Sequence, residues 1–98
     1  MSTNVFLHVN AMRATEESRA AFYQLLKENL WIRMHSVYTN WCCRFSAEVE
    51  DVPAEVKSEI LMLAAQAGVA ALHAVVQCGN SPAFWFDYNA ATRADARA

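Results

Sequence analysis

Glycine and proline are scarce in this chain, with two of each among its 98 residues. So little glycine leaves no Gly-rich loop of the kind that cradles phosphate groups, and no Gly-flanked nucleophile motif. Basic residues occur singly and the net charge is −2, so the chain lacks the positive surface that binds a phosphate backbone. We therefore expect no direct nucleic-acid binding.

Cysteine is also scarce, since the chain has three, of which Cys42 and Cys43 are adjacent. This number and spacing do not make a disulfide framework, and the first residues lack the charged and apolar parts of an export signal. The apolar run 60–76 is shorter than a membrane span and contains Gln66 and His73. These absences predict a protein of the reducing cytoplasm without a membrane segment.

Apolar residues, in contrast, are abundant. They make up 55% of the sequence and charged residues only 18%, which is more apolar and less charged than an average soluble domain. A chain of this length forms one domain, 1–98, with a limited core. The surplus predicts a second molecule that covers apolar surface, either another copy or a different protein.

The stretch 15–52 has the apolar spacing of one long helix. Steps of three and four residues connect Tyr23, Leu26, Leu30, Met34, Val37, Trp41, Phe45, Val49 and Val52. Thr15 can cap its start and Pro53 marks its end. Such a rod would be roughly 57 Å long and would extend beyond a compact chain of this size. A break near Asn29, or between Ser36 and Asn40, is the alternative.

The rest of the chain is predicted to pack around this helix. Alternation in 1–14 predicts a short strand arm that finds no partner strand in its own chain. It would pair with a second copy, pair with a bound protein, or stay as a loose arm. A return helix over 54–78 would be closed by Gly79, and a short helix over 82–92 would start at Ser81 and Pro82. The predicted fold is therefore all-α, a dimeric helical bundle with a strand arm.

Histidine and cysteine offer only weak candidates for chemistry. His35, Cys42, His73 and Cys78 match no zinc spacing and are scattered over predicted helix interiors. A cysteine nucleophile would need a base and an oxyanion site that the sequence does not supply. We predict no metal, no cofactor and no catalysis, and keep a small-ligand pocket or, less favoured, a cysteine-dependent enzyme as alternatives.

Aromatic residues are better candidates for protein contacts, because they anchor many interfaces. The predicted partner-binding residues are Trp31, His35, Tyr38, Cys42, Phe84, Trp85 and Tyr88. The predicted homodimer residues are Val5, Leu7, Val9, Trp41 and Phe45. A second seam of the predicted helix, beside the apolar row given above, runs through Lys27, Trp31, Met34, His35, Tyr38, Cys42 and Phe45. Which of the two seams faces the second copy, and which faces another partner, stays open.

The layout of strand arm, long aromatic helix and return helix resembles the small helical antiactivators of quorum-sensing regulators, the QslA and TraM kind. The segments Trp-Ile-Arg-Met-His (31–35) and Asn-Trp-Cys-Cys-Arg (40–44) carry this resemblance. It implies a homodimer that binds the ligand-binding domain of a LuxR-type transcription factor. Such binding would block dimerisation of that factor and hence its attachment to DNA.

Overall fold

The alternating N-terminal residues form the longest strand, β1 (Thr3–Arg13). Val5, Leu7 and Val9 are buried, whereas Phe6 and His8 between them are exposed. The structure is a computed structural model. It describes residues 2–34, 40–46 and 50–91, except for the side chain of Met12. β1 is therefore a strand with one buried and one exposed side.

β1 is the central strand of a five-stranded sheet, not an arm. The remaining elements are α1 (Glu16–Glu28), β2 (Ile32–Arg33), β3 (Asn40–Phe45), α2 (Val52–Ala67), β4 (Ala71–Cys78) and β5 (Phe84–Asn89). The strand order is β2-β3-β1-β4-β5, and every neighbouring pair is antiparallel. Up to β4 this is the connectivity of the ferredoxin-like, or split βαβ, arrangement, and β5 extends it. The fold is α+β, so the all-α prediction is wrong.

The predicted long helix over 15–52 ends after its first third. Thr15 does cap α1, because its hydroxyl oxygen accepts from the amide of Ser18 at 3.0 Å. The helix then stops at Asn29, whose side-chain amide donates to the carbonyl of Leu25 at 2.8 Å. Leu30 follows with φ of 70°, in the left-handed region that ends helices. Of the two alternative breaks, the one near Asn29 is present, and Ser36–Asn40 lies mostly outside the described residues.

The prediction failed because a step of four residues keeps a side chain on the same side of a helix and also of a strand. Trp41 and Phe45 satisfy both patterns, and in the structure they lie on the same side of β3. The chain is also compact, with a radius of gyration of 13.1 Å, about that expected for 100 residues. Among the described residues, no rod extends beyond the fold.

The predicted helix over 54–78 is present only as far as Ala67, and the helix predicted over 82–92 is wrong, because most of its residues form a strand. α2 ends at Gly68, which has φ of 80°, and β4 follows with Leu72, Ala74 and Val76 buried. Gly79 lies in the turn before β5, where it does not close a helix. Alternating aromatic residues then form β5, because such residues suit a half-buried strand.

The core lies between the helices and one side of the sheet. Buried residues of the strands form one cluster with Phe22 and Leu26 of α1 and with Val56, Ile60 and Leu63 of α2. Both helices therefore contribute to the same layer. Within the described ranges, neither helix has the length and hydropathy needed to span a bilayer.

Replacing a core residue should lower the free energy of unfolding much more than replacing an exposed apolar residue. Trp41 is fully buried, whereas Leu30 is 78% exposed. We expect Trp41→Ala to reduce the free energy of unfolding by about 3–5 kcal/mol. Leu30→Ala should change it by about 0.5 kcal/mol or less. Urea titration followed by circular dichroism measures both, and equal losses would contradict the sheet placement of these residues.

Candidate binding surface

Among the described residues, α1 and α2 leave one side of the sheet uncovered, and we call it the open face. Residues directly opposed in an antiparallel pair share a side, so the strand register defines its members. They include Asn4, Phe6, His8, Asn10, Ile32, Asn40, Cys42, Arg44, His73, Val75, Gln77, Trp85, Asp87 and, after an irregularity in the register at the end of β1, Arg13. The open face is a second surface of the sheet, built from the residues that alternate with the core.

Large apolar side chains are concentrated on the open face. Phe6 is 47% exposed, Ile32 65% and Trp85 66%. Leu30 and Met34, on either side of β2, are also exposed and line hollows together with Phe6. Among the described residues, the other exposed large apolar side chain is Met62 on α2. We call Phe6, Leu30, Ile32, Met34 and Trp85 the apolar patch.

Two hollows border Phe6. The first hollow, of about 430 Å³, lies towards β2 and is lined by Asn4, Phe6, Leu30, Ile32, Cys42, Cys43 and Arg44. The second hollow, of about 300 Å³, lies at the other side of Phe6 and includes His8, Met34 and Val75. The open face is therefore uneven, with two hollows beside Phe6 and a protruding side chain at Trp85.

Hydrogen bonds between strands hold the polar side chains of the open face. His8 Nδ1 lies 2.7 Å from Asn40 Oδ1 and donates to it. His73 Nδ1 lies 2.6 Å from the carboxylate of Asp87, and its ring is 5.9 Å from that of Trp85 between centroids. These contacts hold polar side chains beside Met34 and beside Trp85 of the open face.

A further polar contact lies beside the first hollow. Arg44 Nε donates to Asn4 Oδ1 at 3.4 Å. Both residues line the first hollow together with apolar side chains. One wall of this hollow therefore carries a positive charge.

The structure divides the predicted partner-binding residues between the core and the open face. Cys42 and Trp85 lie on the open face. Trp31 is buried, and its Nε1 donates to Glu59 at 2.7 Å. Phe84 is half-buried and Tyr88 is buried, both on the helix side of β5. His35 and Tyr38 lie outside the described residues.

The predicted homodimer residues are used within a single chain. Val5, Leu7, Val9 and Trp41 are each at most 2% exposed. Phe45 packs edge-on against Trp31, with 5.9 Å between ring centroids. These residues alternate along their strands with the residues of the open face, and their side chains point towards the helices. A second copy could not reach them without opening the fold.

Sequence reasoning missed Phe6 and Ile32, which are central to the apolar patch. For Phe6 the signal was available, because the alternation of β1 that buries Val5 and Leu7 must turn Phe6 to the other side. No comparable signal exists for Ile32, since β2 has only two residues. The residues that matter for binding are therefore the ones that remain once the buried positions of each strand are assigned.

The cysteines do not assemble a reactive centre among the described residues. Cys42 and Cys43 point to opposite sides of β3, and all three thiols are free. β1 separates Cys42 on β3 from His73 on β4. In the part of the chain that the structure describes, no group of three or more His, Cys, Asp or Glu residues could hold a metal ion.

Burial raises the pKa of the Cys43 thiol above its ordinary value, and the negative charge of Glu59 acts in the same direction. Burial likewise raises the pKa of Cys78. The thiolate is the reactive form of cysteine, so both residues are less reactive at a given pH than ordinary thiols.

Comparison with known proteins gives no relative from which a function could be transferred. No protein-family model matches the chain, and neither a curated protein nor a solved structure matches it. The class of protein must therefore be inferred from the open face itself.

The three thiols should react with iodoacetamide in a defined order. Cys42 lies on the open face and should be alkylated first, whereas Cys43 and Cys78 should react more slowly because burial raises their pKa values. Peptide mass spectrometry after partial alkylation at about pH 8, near the ordinary thiol pKa, measures the order. Raising the pH should reduce the difference in alkylation rate between Cys42 and the other two thiols. Faster reaction of Cys78 than of Cys42 would contradict the burial of Cys78.

Proposed function

We infer that this protein is a protein-binding module that acts through the open face of its sheet. The observation that carries the proposal is the apolar patch, in which five large side chains remain exposed on one side of the molecule. Soluble monomers seldom expose contiguous apolar patches larger than a few hundred Å², and larger ones mark interaction sites. Aromatic residues and methionine, both present here, are enriched at protein interfaces.

The charges of the open face favour a protein over a nucleic acid. Sheets that bind single strands combine aromatic side chains with a positively charged groove. Here the register places Arg44, Asp87 and, at the end of β1, Arg13 on this side among the described residues. One or two cations beside an aspartate do not form such a groove, and the whole chain carries a net charge of −2.

The first hollow favours a second candidate function, the binding of a small amphipathic molecule. Its volume of about 430 Å³ falls within the roughly 300–1,000 Å³ of ligand pockets. Apolar walls beside the guanidinium of Arg44 would suit a molecule with an acidic group. We prefer protein binding because Trp85 and Met34, which are also exposed, do not line this hollow.

The transcription-factor partner stays an untested prediction. It came from a resemblance in layout to helical antiactivators, and the long aromatic helix on which that layout depended is absent. We therefore propose the class of function, protein binding without catalysis, and do not propose that partner. A cytoplasmic location likewise stays a prediction.

A glutamate at Phe6 should abolish protein binding, because it places a charge at the centre of the apolar patch. Met62→Glu is the matched control, since Met62 has nearly the same exposure, 48% against 47%, but lies on α2. Immobilised wild type, Phe6→Glu and Met62→Glu would be incubated with extract of the source cell. We expect a protein retained by the wild type and by Met62→Glu to be lost with Phe6→Glu.

Two results would contradict this proposal. One is retention of the same protein by Phe6→Glu at wild-type levels while the circular dichroism spectrum is unchanged. The other is a wild-type protein that retains no polypeptide, its own chain included, but carries a small molecule detected by native mass spectrometry and lost with Phe6→Glu. The second result would support the ligand-binding candidate.

A further inference from the structure

We propose that the open face binds a second copy of the same chain, so that two sheets pack face to face in a symmetric homodimer. This inference rests on the proposed function and names the partner for that surface. A two-fold contact uses the same patch on both subunits, so each feature of the surface must find its complement elsewhere on the same surface. The open face meets this requirement in size, charge and shape.

The size of the open face suits a stable dimer. Five strands about 4.8 Å apart, with an average length of roughly six residues, give a flat area on the order of 500 Å², and protruding side chains increase the accessible area. A standard interface buries about 800 Å² on each partner. The open face can supply most of that area, and the apolar patch supplies an apolar centre.

The charges of the open face are placed for self-complementarity. Arg44 lies beside Asn4 at one corner, and Asp87 lies beside His73 at the diagonally opposite corner. Consider a two-fold axis that runs between the two sheets and parallel to them, over the midpoint of the line that joins these corners and at a right angle to it. Rotation about this axis places the Arg44 corner of one copy on the Asp87 corner of the other. Each Arg44 then faces the Asp87 of the other copy, so the dimer has two such pairs.

The relief of the surface is compatible with the same axis. The rotation that exchanges the two corners carries the protruding Trp85 of one copy towards the Asn4 and Phe6 side of the first hollow in the other. Phe6 lies near the axis and meets the centre of the opposing sheet. Trp85 and Phe6 thus become the aromatic anchors of the contact, and the two-fold axis uses each of them twice.

The experiment begins with the mass of the purified protein in solution. Sedimentation equilibrium of the wild type should give twice the chain mass of 11.0 kDa at roughly micromolar concentration. Phe6→Glu should weaken the dimer by roughly 100-fold or more, whereas Met62→Glu should leave it unchanged. A wild type that stays monomeric up to millimolar concentration would overturn the homodimer.

Charge reversal tests the axis and does not depend on the apolar residues. Arg44→Glu places two acidic groups in each of two contacts, and Asp87→Lys places two basic groups there, so either variant alone should dimerise at least about tenfold more weakly. A mixture of the two should recover near wild-type affinity, because one contact of the mixed dimer then pairs Glu with Lys and the other keeps the wild-type pair. Native mass spectrometry of the mixture, with one variant isotopically labelled, counts the mixed dimer.

The outcomes separate this inference from the proposed function. A monomer that still captures another protein through Phe6 leaves the proposed function standing and removes the homodimer. A monomer that captures no protein removes both. A dimer that survives Phe6→Glu, or single charge variants that dimerise as well as the mixture, shows a contact elsewhere and overturns the face-to-face arrangement.

Discussion

The fold depends on the pairing of β1 with strands on both of its sides. β3 pairs with β1 from Thr3 to His8, and β4 pairs with it from Val5 to Arg13. β1 therefore has neighbours along both edges, and its inner side chains lie at the centre of the core. Both helices cover only that inner side. Up to residue 11, the odd-numbered residues of the strand, such as Leu7, are consequently buried, while the even-numbered residues from 4 to 10, Phe6 and His8 among them, face outwards.

Features that depend on a few neighbouring residues could be predicted from the sequence better than the length of a helix. The alternation of β1 and the cap at Thr15 were predicted correctly because each depends on a few neighbouring residues. The long helix was not, because Trp41 and Phe45 are separated by a step that suits both periodicities, and the deciding residue was Leu30 with its positive φ. Leucine gives no warning of that conformation, which is usually occupied by glycine.

The candidate site was predictable in residue type more than in position. An excess of apolar and aromatic side chains suggested that one chain leaves such surface uncovered, and among the residues named for partner binding Trp85 and Cys42 lie on the open face. The excess was assigned to a helical seam, however, so core residues such as Leu7 and Trp41 were named in place of Phe6 and Ile32. Neighbouring residues of a strand point to opposite sides of the sheet. Assigning a helix where the chain forms a strand can therefore place buried residues at the surface and surface residues in the core.

The pairing of β1 with β4 also has a consequence for synthesis on the ribosome. Val5 pairs with Cys78, so β1 leaves the exit tunnel well before its neighbour β4 is made. Pairings so distant in sequence slow folding, and during the delay β1 exposes apolar residues on one side and unpaired backbone groups along two edges. Nascent chains that end before β4 are thus candidates for chaperone binding, while α1 can already form from its own local contacts.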